Sequence, residues 1–450
     1  MPFHDFHTAA RFGRAGLILP AYLAGLLLFI ASYRVAADTP LPLEEAQRHA
    51  VAASSRIAAQ DEAVIAFRHT AGQARELPDP VITLGIDNLP IDGADQFSVS
   101  RDFMTMRRIG ITQVFTTAEK RQLRGERLDR AGERARLERD ALVADIQRDT
   151  ALAWLERYYA EALGRVMAEQ ISEAALAVDA AETAYRTGRG GQSDVLAARS
   201  ARIEAEDRAS EADRRIRTAI IMLARWIGPA AQAPLADIPD MARIPFDPDS
   251  IETHFMHHPE IRALAEQVAI ARAESQLARA DKKPDWTWEL IYSQRGPAYS
   301  NMVSVGVSVP LPWNQANRQD REVAAKLALV EQARAQREDV LRMHTSEVRA
   351  MLEEWQNNQR RRGRYQQELL PLAQQGVQAA LTAYRGAKAD LTDVLAARRN
   401  ALDLRLQALQ LDLETARLWA RLAFLFPRNT DPAPAATAAT LLPTPHQEIK

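Results

Sequence analysis

The chain has 450 residues, and its 57 basic and 59 acidic side chains leave a net charge of −2, which gives no reason to expect nucleic acid as a partner. Only 6% of the residues are aromatic, and Ala, Arg, Glu, Gln and Leu dominate, which is typical of extended helical coiled coils. The absence of cysteine excludes disulfides and thiolate metal sites. No phosphate loop, nucleophile elbow or dinucleotide fingerprint is present, so we predict a non-enzyme without cofactor or resident metal.

The N-terminus has the pattern of an export signal. Arg11 and Arg14 precede an apolar run over 15–32, and small residues follow just before Asp38. This order predicts a cleaved signal peptide over 1–37. A permanent membrane anchor is the alternative, because an apolar run of this length nearly spans a bilayer.

An internal repeat organises the rest of the chain. Ala184–Arg199 reads AYRTGRGGQSDVLAAR and Ala383–Arg398 reads AYRGAKADLTDVLAAR, with nine of sixteen positions identical. Pro78-Asp79 and Pro284-Asp285 form a second pair of landmarks in the same order, each before a strand-like stretch. The sequence therefore predicts a tandem duplication of one unit.

The first repeat, 38–228, is predicted to contain four elements. They are a helix over about 43–76, a β-hairpin over 80–116, a long helix over 117–187 and a return helix over 193–227. The spacing of Ile216, Ile220, Leu223 and Ile227 predicts a coiled-coil seam on the return helix. A proline-rich connector over 229–256 follows.

The second repeat, 257–427, has the same order of elements. A helix from about Pro259 to Asp281 precedes a hairpin over 285–312, a long helix over 317–384 and a return helix over 391–424, which carries Leu402, Leu406, Leu409 and Leu413 on one stripe. Pro371 predicts a kink in the second long helix. Residues 428–450 are predicted to form a disordered tail.

The strand-like stretches alternate between apolar and small or polar residues. Such alternation over about nine to eleven residues is typical of transmembrane β-strands, and a soluble two-sheet domain is the alternative. Four strands cannot close a barrel, whereas three chains would supply twelve strands and room for a channel. The predicted aromatic girdle of this barrel consists of Trp286, Trp288, Tyr292, Tyr299 and Trp313.

With these features the chain resembles the TolC-like outer-membrane efflux channels. The resemblance is carried by the doubled motif at Tyr185–Ala198 and Tyr384–Ala397, by the two Pro-Asp pairs and by His258-Pro259-Glu260. It implies a mainly α fold with a small β part, in which long coiled-coil helices form a trimeric α-helical tunnel below a 12-stranded barrel with four strands per chain. The implied partners are a periplasmic adaptor (membrane fusion protein), an inner-membrane pump and outer-membrane lipid.

Two segments resemble the branch that serves heavy-metal exporters of the resistance-nodulation-division class, namely Asp87–Arg108 and Ser304–Arg318. Heavy-metal cations are therefore the predicted cargo. The alternatives are a duct for drugs, solvents or secreted proteins, and a periplasmic structural coiled coil. Because the chain lacks the cysteine through which many relatives are lipidated, acylation at that residue type is excluded.

Asp194 and Asp393 occupy equivalent places at the starts of the return helices. As first-turn carboxylates they favour the helix N-terminus, where Ser193 and Thr392 could act as caps. The resemblance implies a second role, in which three copies of each Asp form carboxylate rings at a periplasmic gate. A second acidic residue found three positions later in some family gates is alanine here in both repeats.

The remaining tip residues are predicted to contact the adaptor, with a solvated turn as the alternative. They are Gly188, Arg189, Gly191, Ser193, Lys388, Leu391 and Thr392. The soft-ligand group His254, Met256, His257 and His258 is predicted to be ordinary surface, because no further ligand completes a metal site. The basic run at Arg360–Arg362 and Arg364 is predicted to be a solvated helix face.

Overall fold

The computed structural model describes residues 40–247 and 250–428. The predicted signal peptide over 1–37 lies outside the described residues, and so does the predicted tail over 428–450 except for Arg428, whose amide donates to the Gln147 side chain at 2.9 Å. The fold is mainly helical with one small sheet, and both repeats have the same order of elements.

The first repeat contains four helices and two strands: α1 (Leu43–Ala52), α2 (Ser55–Arg75), β1 (Val81–Asp87), β2 (Met106–Phe115), α3 (Ala118–Arg186) and α4 (Gln192–Ile227). The helix predicted over 43–76 is thus two helices. Ser54 has an extended backbone, and its hydroxyl accepts a hydrogen bond from the Ile57 amide at 3.4 Å. A serine placed in this way starts a new helix, so the chain bends between α1 and α2.

The second repeat follows a 3₁₀ turn at Gly228–Gln232 and contains α5 (Ile251–Met256), α6 (Pro259–Ala280), β3 (Trp286–Gln294), β4 (Met302–Ser308), α7 (Gln319–Arg364), α8 (Leu370–Arg385) and α9 (Leu391–Ala423). The long helix predicted over 317–384 is interrupted by a π-helical turn at Tyr365–Leu369. Pro371 lacks the amide hydrogen that would be donated to the Gln367 carbonyl in a regular α-helix. The π-helical turn, which is wider than an α-helical turn, ends at Leu369, two residues before this proline.

The first long helix, α3, is the longest helix in the described part of the chain, and α1, α2, α4, α6 and α9 all pack against it. Its 69 residues extend about 100 Å at about 1.5 Å per residue. Thr117 caps it by accepting a hydrogen bond from the Lys120 amide at 3.4 Å. α4 returns along α3, and the side chain of Ile216 lies so close to Gly164 that a Cβ there would stand 2.8 Å from its terminal carbon. The absence of a side chain at Gly164 therefore lets α4 approach α3 closely at this point.

The largest hydrophobic core lies near the middle of α3, where α1, the connector and the end of α9 meet. Trp154 and Leu155 are fully buried there. The indole of Trp154 donates to the Leu41 carbonyl at 3.1 Å, and the indole of Trp419 donates to the Arg243 carbonyl at 3.0 Å. Trp419 thus holds the connector against α9, and Trp154 holds the segment before α1, whose Leu41 amide in turn donates to the Pro234 carbonyl of the connector at 2.8 Å.

The four strands form one antiparallel sheet in the order β1-β2-β3-β4. β1 pairs with β2, β2 with β3 across the boundary between the repeats, and β3 with β4. β1 and β4 are therefore the two edges. None of the helices in the two described ranges is long and apolar enough to cross a lipid bilayer.

Candidate functional site

One face of the sheet is mostly apolar and uncovered, with Arg107, Gln113 and Gln294 as its polar residues. The pairing register places these side chains on it: Ile82, Leu84, Ile86, Ile109, Ile111, Phe115, Trp286, Trp288, Leu290, Tyr292, Val303, Val305 and Val307. Leu84 is 76% exposed and Val305 is 74% exposed. Uncovered apolar surface of this extent marks contact with a partner or with lipid.

The opposite face carries mostly small and polar side chains, with Val81, Val114 and Ile291 among the apolar exceptions. Gly85, Gly110 and Gly306 lie on it, together with Thr83, Thr112, Glu289, Ser304 and Ser308. The guanidinium of Arg108 lies 3.4 Å from the Asp87 carboxylate on the same face. A sheet with one apolar and one polar face fits the wall of a pore whose lipid side is apolar.

The predicted girdle residues lie at both ends of the apolar face. Trp286 stacks on Phe115 with ring centroids 4.9 Å apart at the end nearest the helices, where Trp288 also lies. Trp313 follows β4 at the same end and is 91% exposed. Tyr292 and Tyr299 lie toward the opposite end, where the hairpin loops are.

The two hairpin loops pack against each other. Arg295 donates a hydrogen bond to the Phe103 carbonyl, and its guanidinium lies 4.8 Å from the centre of the Tyr299 ring. Gly296 approaches the Ser100 carbonyl so closely that any Cβ would collide with it. This glycine is therefore required by the contact between the loops.

A buried cation joins the sheet to the helices. The Lys120 side chain is 3% exposed, and its ammonium lies 2.8 Å from Asp285 and 3.3 Å from Asp281. The Thr116 hydroxyl adds a hydrogen bond to Asp285 at 3.2 Å. In the sequence Asp285 stands out only as part of the Pro-Asp landmark before the hairpin, and nothing there predicts its contact with Lys120.

At the other end of the long helices, the two tips share one backbone frame. The Arg189 amide donates to the Ala184 carbonyl at 2.8 Å, and the Lys388 amide donates to the Ala383 carbonyl at 2.9 Å. The residue before each of these amides has a positive φ. It is Gly188 in the first tip (φ 70°), whereas the second tip has an alanine there.

Each predicted gate residue lies in the first turn of its helix and hydrogen-bonds back to the N-cap residue. The Asp194 carboxylate accepts a hydrogen bond from the Gly191 amide at 3.0 Å, and the Asp393 carboxylate accepts one from the Asp390 amide at 3.1 Å. The N-caps are Gly191 and Asp390, so the caps predicted at Ser193 and Thr392 are wrong. These two residues lie inside the first turn, past the cap position.

The structure brings both tips together. Leu391 at the start of α9 packs with Val178 on α3 and Val195 on α4 in one buried cluster. Because Leu391 is only 8% exposed, it holds the tips together, and we leave it out of the surface proposed for the adaptor. The other predicted tip residues are exposed: Gly188, Arg189, Gly191, Ser193, Lys388 and Thr392. Tyr185 and Leu196 are also exposed there, and neither belongs to the predicted adaptor-contacting set.

The histidine group does not form a metal site, and one of its members is buried. His258 caps α6 by accepting from the Glu260 amide at 3.3 Å, and its Nε2 lies 2.9 Å from the Leu425 carbonyl. The prediction that it is ordinary surface is therefore wrong, because the end of α9 covers it. Within residues 40–247 and 250–428, no group of three or more His, Cys, Asp or Glu side chains could hold a metal ion.

The basic run on α7 is only partly solvated. Arg362 forms an ion pair with Asp412 on α9, and both side chains are at least three-quarters buried. The prediction of a fully solvated face is thus wrong for Arg362, which ties α7 to α9. Arg360 and Arg364 are exposed.

Residues 253–426 match the sequence model of the family described as "Outer membrane efflux protein". This stretch covers almost all of the second repeat. No match among curated proteins reaches significance.

Solved outer-membrane channels share the fold over most of the chain. The outer membrane protein VceC from Vibrio cholerae is 18% identical, with a TM-score of 0.68 over 84% of this chain and 96% of VceC. The Campylobacter jejuni CmeC outer membrane channel is 12% identical, with a TM-score of 0.72 over 93% of this chain and 94% of CmeC. CusC is 14% identical, with a TM-score of 0.72 over 87% of this chain and 95% of CusC. At these identities the comparison shows that the fold is that of these channels.

Proposed function

We propose that the chain forms the outer-membrane exit channel of a tripartite efflux system and conducts substrate passively. The observation that carries this proposal is the exposed apolar face of the sheet, which continues into helices about 100 Å long. The apolar face would contact lipid, and the helices would reach into the periplasm. The match of residues 253–426 to the outer-membrane efflux family supports the same conclusion.

The functional unit is a homotrimer. One chain supplies four strands with two open edges. Open edges inside lipid leave backbone groups without hydrogen bonds, which costs several kcal/mol for each group, so closure needs further copies. Three copies would give twelve strands, enough for a channel, whereas eight strands enclose only a filled interior.

The helical tips form the periplasmic entrance and the adaptor surface. In a trimer Asp194 and Asp393 would each appear three times, so their carboxylates would line the entrance and attract cations. The exposed basic side chains Arg189 and Lys388 project from the same tips and face the adaptor. The energy for transport comes from an inner-membrane pump of the resistance-nodulation-division class.

Heavy-metal cations are the proposed cargo. This part of the proposal rests on the resemblance of Asp87–Arg108 and Ser304–Arg318 to the metal-exporter branch. Drugs, solvents and secreted proteins are the alternative cargoes that the growth test described below distinguishes from metals. A channel should hold its cargo weakly, because conduction requires release.

Two experiments test the proposal. The full chain is expressed, outer membranes are separated from inner membranes, and the purified protein is placed in planar lipid bilayers. We expect an outer-membrane oligomer with stepwise ion conductance, and a soluble periplasmic monomer without conductance would overturn the channel. A deletion strain is then grown against transition metals and common drugs. Sensitivity of the deletion strain to metals, with resistance restored by the reintroduced gene, would support heavy-metal cations as the cargo. Sensitivity to drugs alone would overturn that assignment.

A further inference from the structure

We propose that β4 of one chain pairs with β1 of a second copy in a single register, with Val307 opposite Leu84 of the partner subunit. The inference rests on the proposed function, because it assumes that copies assemble edge to edge. It specifies the residues at the seam, which the assembly alone does not.

The two hairpins are equivalent in register. Leu84 lies opposite Ile109 in the first hairpin, and Leu290 lies opposite Val305 in the second. Leu84 and Leu290 are the same number of sequence positions apart as the two Pro-Asp landmarks that precede the hairpins. β1 is thus equivalent to β3 and β2 to β4, residue by residue.

Within one chain, the second strand of the first hairpin, β2, already pairs with the first strand of the second hairpin, β3. In this pairing Ile111 of β2 lies opposite Leu290 of β3. Ile111 follows Gly110, and its equivalent on β4 is Val307, which follows Gly306. The equivalent of Leu290 is Leu84. If β4 pairs with β1 of a second copy in the register that β2 has with β3, Val307 lies opposite Leu84 of the partner subunit.

The chemistry of the two edges fits this register. Leu84 and Val307 are 76% and 65% exposed in the single chain, and both lie on the apolar face. The register also places Gly306 opposite Gly85 of the partner subunit, so no side chains collide on the polar face. A slip of one residue would turn every apolar side chain of one edge to the polar face, so the pairing is strongly specified.

Cysteine cross-linking tests the register, because the chain has no cysteine of its own. The test variant combines Leu84→Cys with Val307→Cys. Within one chain β2 and β3 separate β1 from β4 by about 14 Å, and Val307 lies a further four residues along the strand from Val303, the position level with Leu84. The two positions are therefore well beyond the roughly 7 Å limit for a disulfide. A disulfide can therefore form only between copies.

After mild oxidation of the protein in lipid, we expect most chains of the test variant to run as cross-linked trimers on non-reducing gels and as monomers after reduction. The matched control combines Leu84→Cys with Val303→Cys, which lies on the same face of β4 but about 13 Å along the strand from Val307. We expect the control to stay uncross-linked. A second pair, Ile86→Cys with Val305→Cys, tests the same register if the first variant fails to assemble.

Two outcomes would overturn the register. One is cross-linking of the control in place of the test pairs, and the other is no cross-linking of either test pair in a protein that is trimeric by native mass and conducts ions. Both leave the channel standing. A monomeric, non-conducting wild-type protein would instead overturn the proposed function and the register together.

Discussion

The ammonium of Lys120 lies 2.8 Å from the carboxylate of Asp285, although 165 positions separate the two residues in the sequence. The pair joins the start of α3 in the first repeat to the residue that precedes β3 in the second. It therefore fixes the place where the sheet passes into the helices, and where the two repeats meet.

Removing this cation should destabilise the junction. We expect Lys120→Met to lower the free energy of unfolding by about 1–3 kcal/mol, because two carboxylates lose their buried partner. The effect should be smaller than the 3–5 kcal/mol or so of a fully buried pair, since Asp281 and Asp285 are 43% and 27% exposed. Urea unfolding in detergent, followed by circular dichroism, measures the change.

Lys283→Met is the matched control. Lys283 pairs with Glu119 at 3.2 Å in the same region, but their side chains are 71% and 56% exposed. Exposed pairs contribute less than about 1 kcal/mol. Equal losses from the two lysine variants would contradict a special role for Lys120.

The carboxylates of Asp194 and Asp393 have two separable roles, as helix caps and as charges at the proposed entrance. Alanine at both positions should raise the conductance of the trimer in planar bilayers, because the carboxylate rings of the proposed gate hold its closed state through polar contacts. It should also cost about 0.5–2 kcal/mol of stability per lost capping hydrogen bond. Asparagine at both positions keeps an oxygen near the Gly191 and Asp390 amides but removes the charge. We expect the asparagine variant to conduct like the alanine variant while it retains most of the stability. Wild-type conductance in both assembled variants would rule out the gate.

The burial of His258 makes the stability of the helical part depend on pH. Burial lowers the pKa of His258 below its ordinary value of 6.5, and the nearby His344 adds to this effect, whereas the Leu425 carbonyl, Glu260 and Asp145 oppose it. The unfolded chain therefore binds a proton first as the pH falls. The contribution of His258 to stability is complete above about pH 6.5 and is lost as the pH falls toward the folded-state pKa.

We expect the melting temperature of the wild type to fall between about pH 7.5 and 5.5, and His258→Asn to show a weaker dependence over the same range. Asparagine is suitable because it can still cap α6. His254→Asn is the control, because His254 is exposed and hydrogen-bonds only locally with Ser250. An unchanged pH slope in His258→Asn would contradict the assignment.

The contact between the hairpin loops depends on Gly296. Gly296→Ala would push its loop away from the Ser100 carbonyl and break the hydrogen bond from Arg295 to the Phe103 carbonyl. We expect trypsin to cleave after Arg101 several-fold faster in this variant, while the trimer and the sheet persist. Ala298→Ser, at an exposed position of the same loop, should leave the cleavage rate unchanged.

The sequence was informative where structure is local and periodic. Thr117 precedes α3 and the return helices begin within a residue of the predicted 193 and 391, because caps and turn residues mark these boundaries. Alternation along the strands also indicated which side chains share the apolar face, since the pleat fixes a period of two.

The sequence was uninformative where a contact joins distant parts of the chain. Nothing in the local pattern around Lys120 or His258 indicates that Asp285 or the end of α9 lies against them. Pro371 differs from these cases, because the proline itself predicted a kink in the helix. It did not predict that the irregularity would take the form of a π-helical turn at Tyr365–Leu369. Tertiary packing decides such details, and one sequence does not display it.

The two tips have the same hydrogen bonds but differ in mechanical character. The first tip meets the demand for a positive φ with Gly188, and two more glycines follow within three residues. The second tip holds Ala387 at φ 53°, a conformation that costs an L-residue about 1–2 kcal/mol. The glycine-rich first tip therefore loses more conformational entropy when it is ordered, whereas the second tip begins from a strained backbone with fewer accessible conformations. The duplicated tips lie side by side at one end of the molecule, yet they differ in the conformational entropy that binding a partner there would cost.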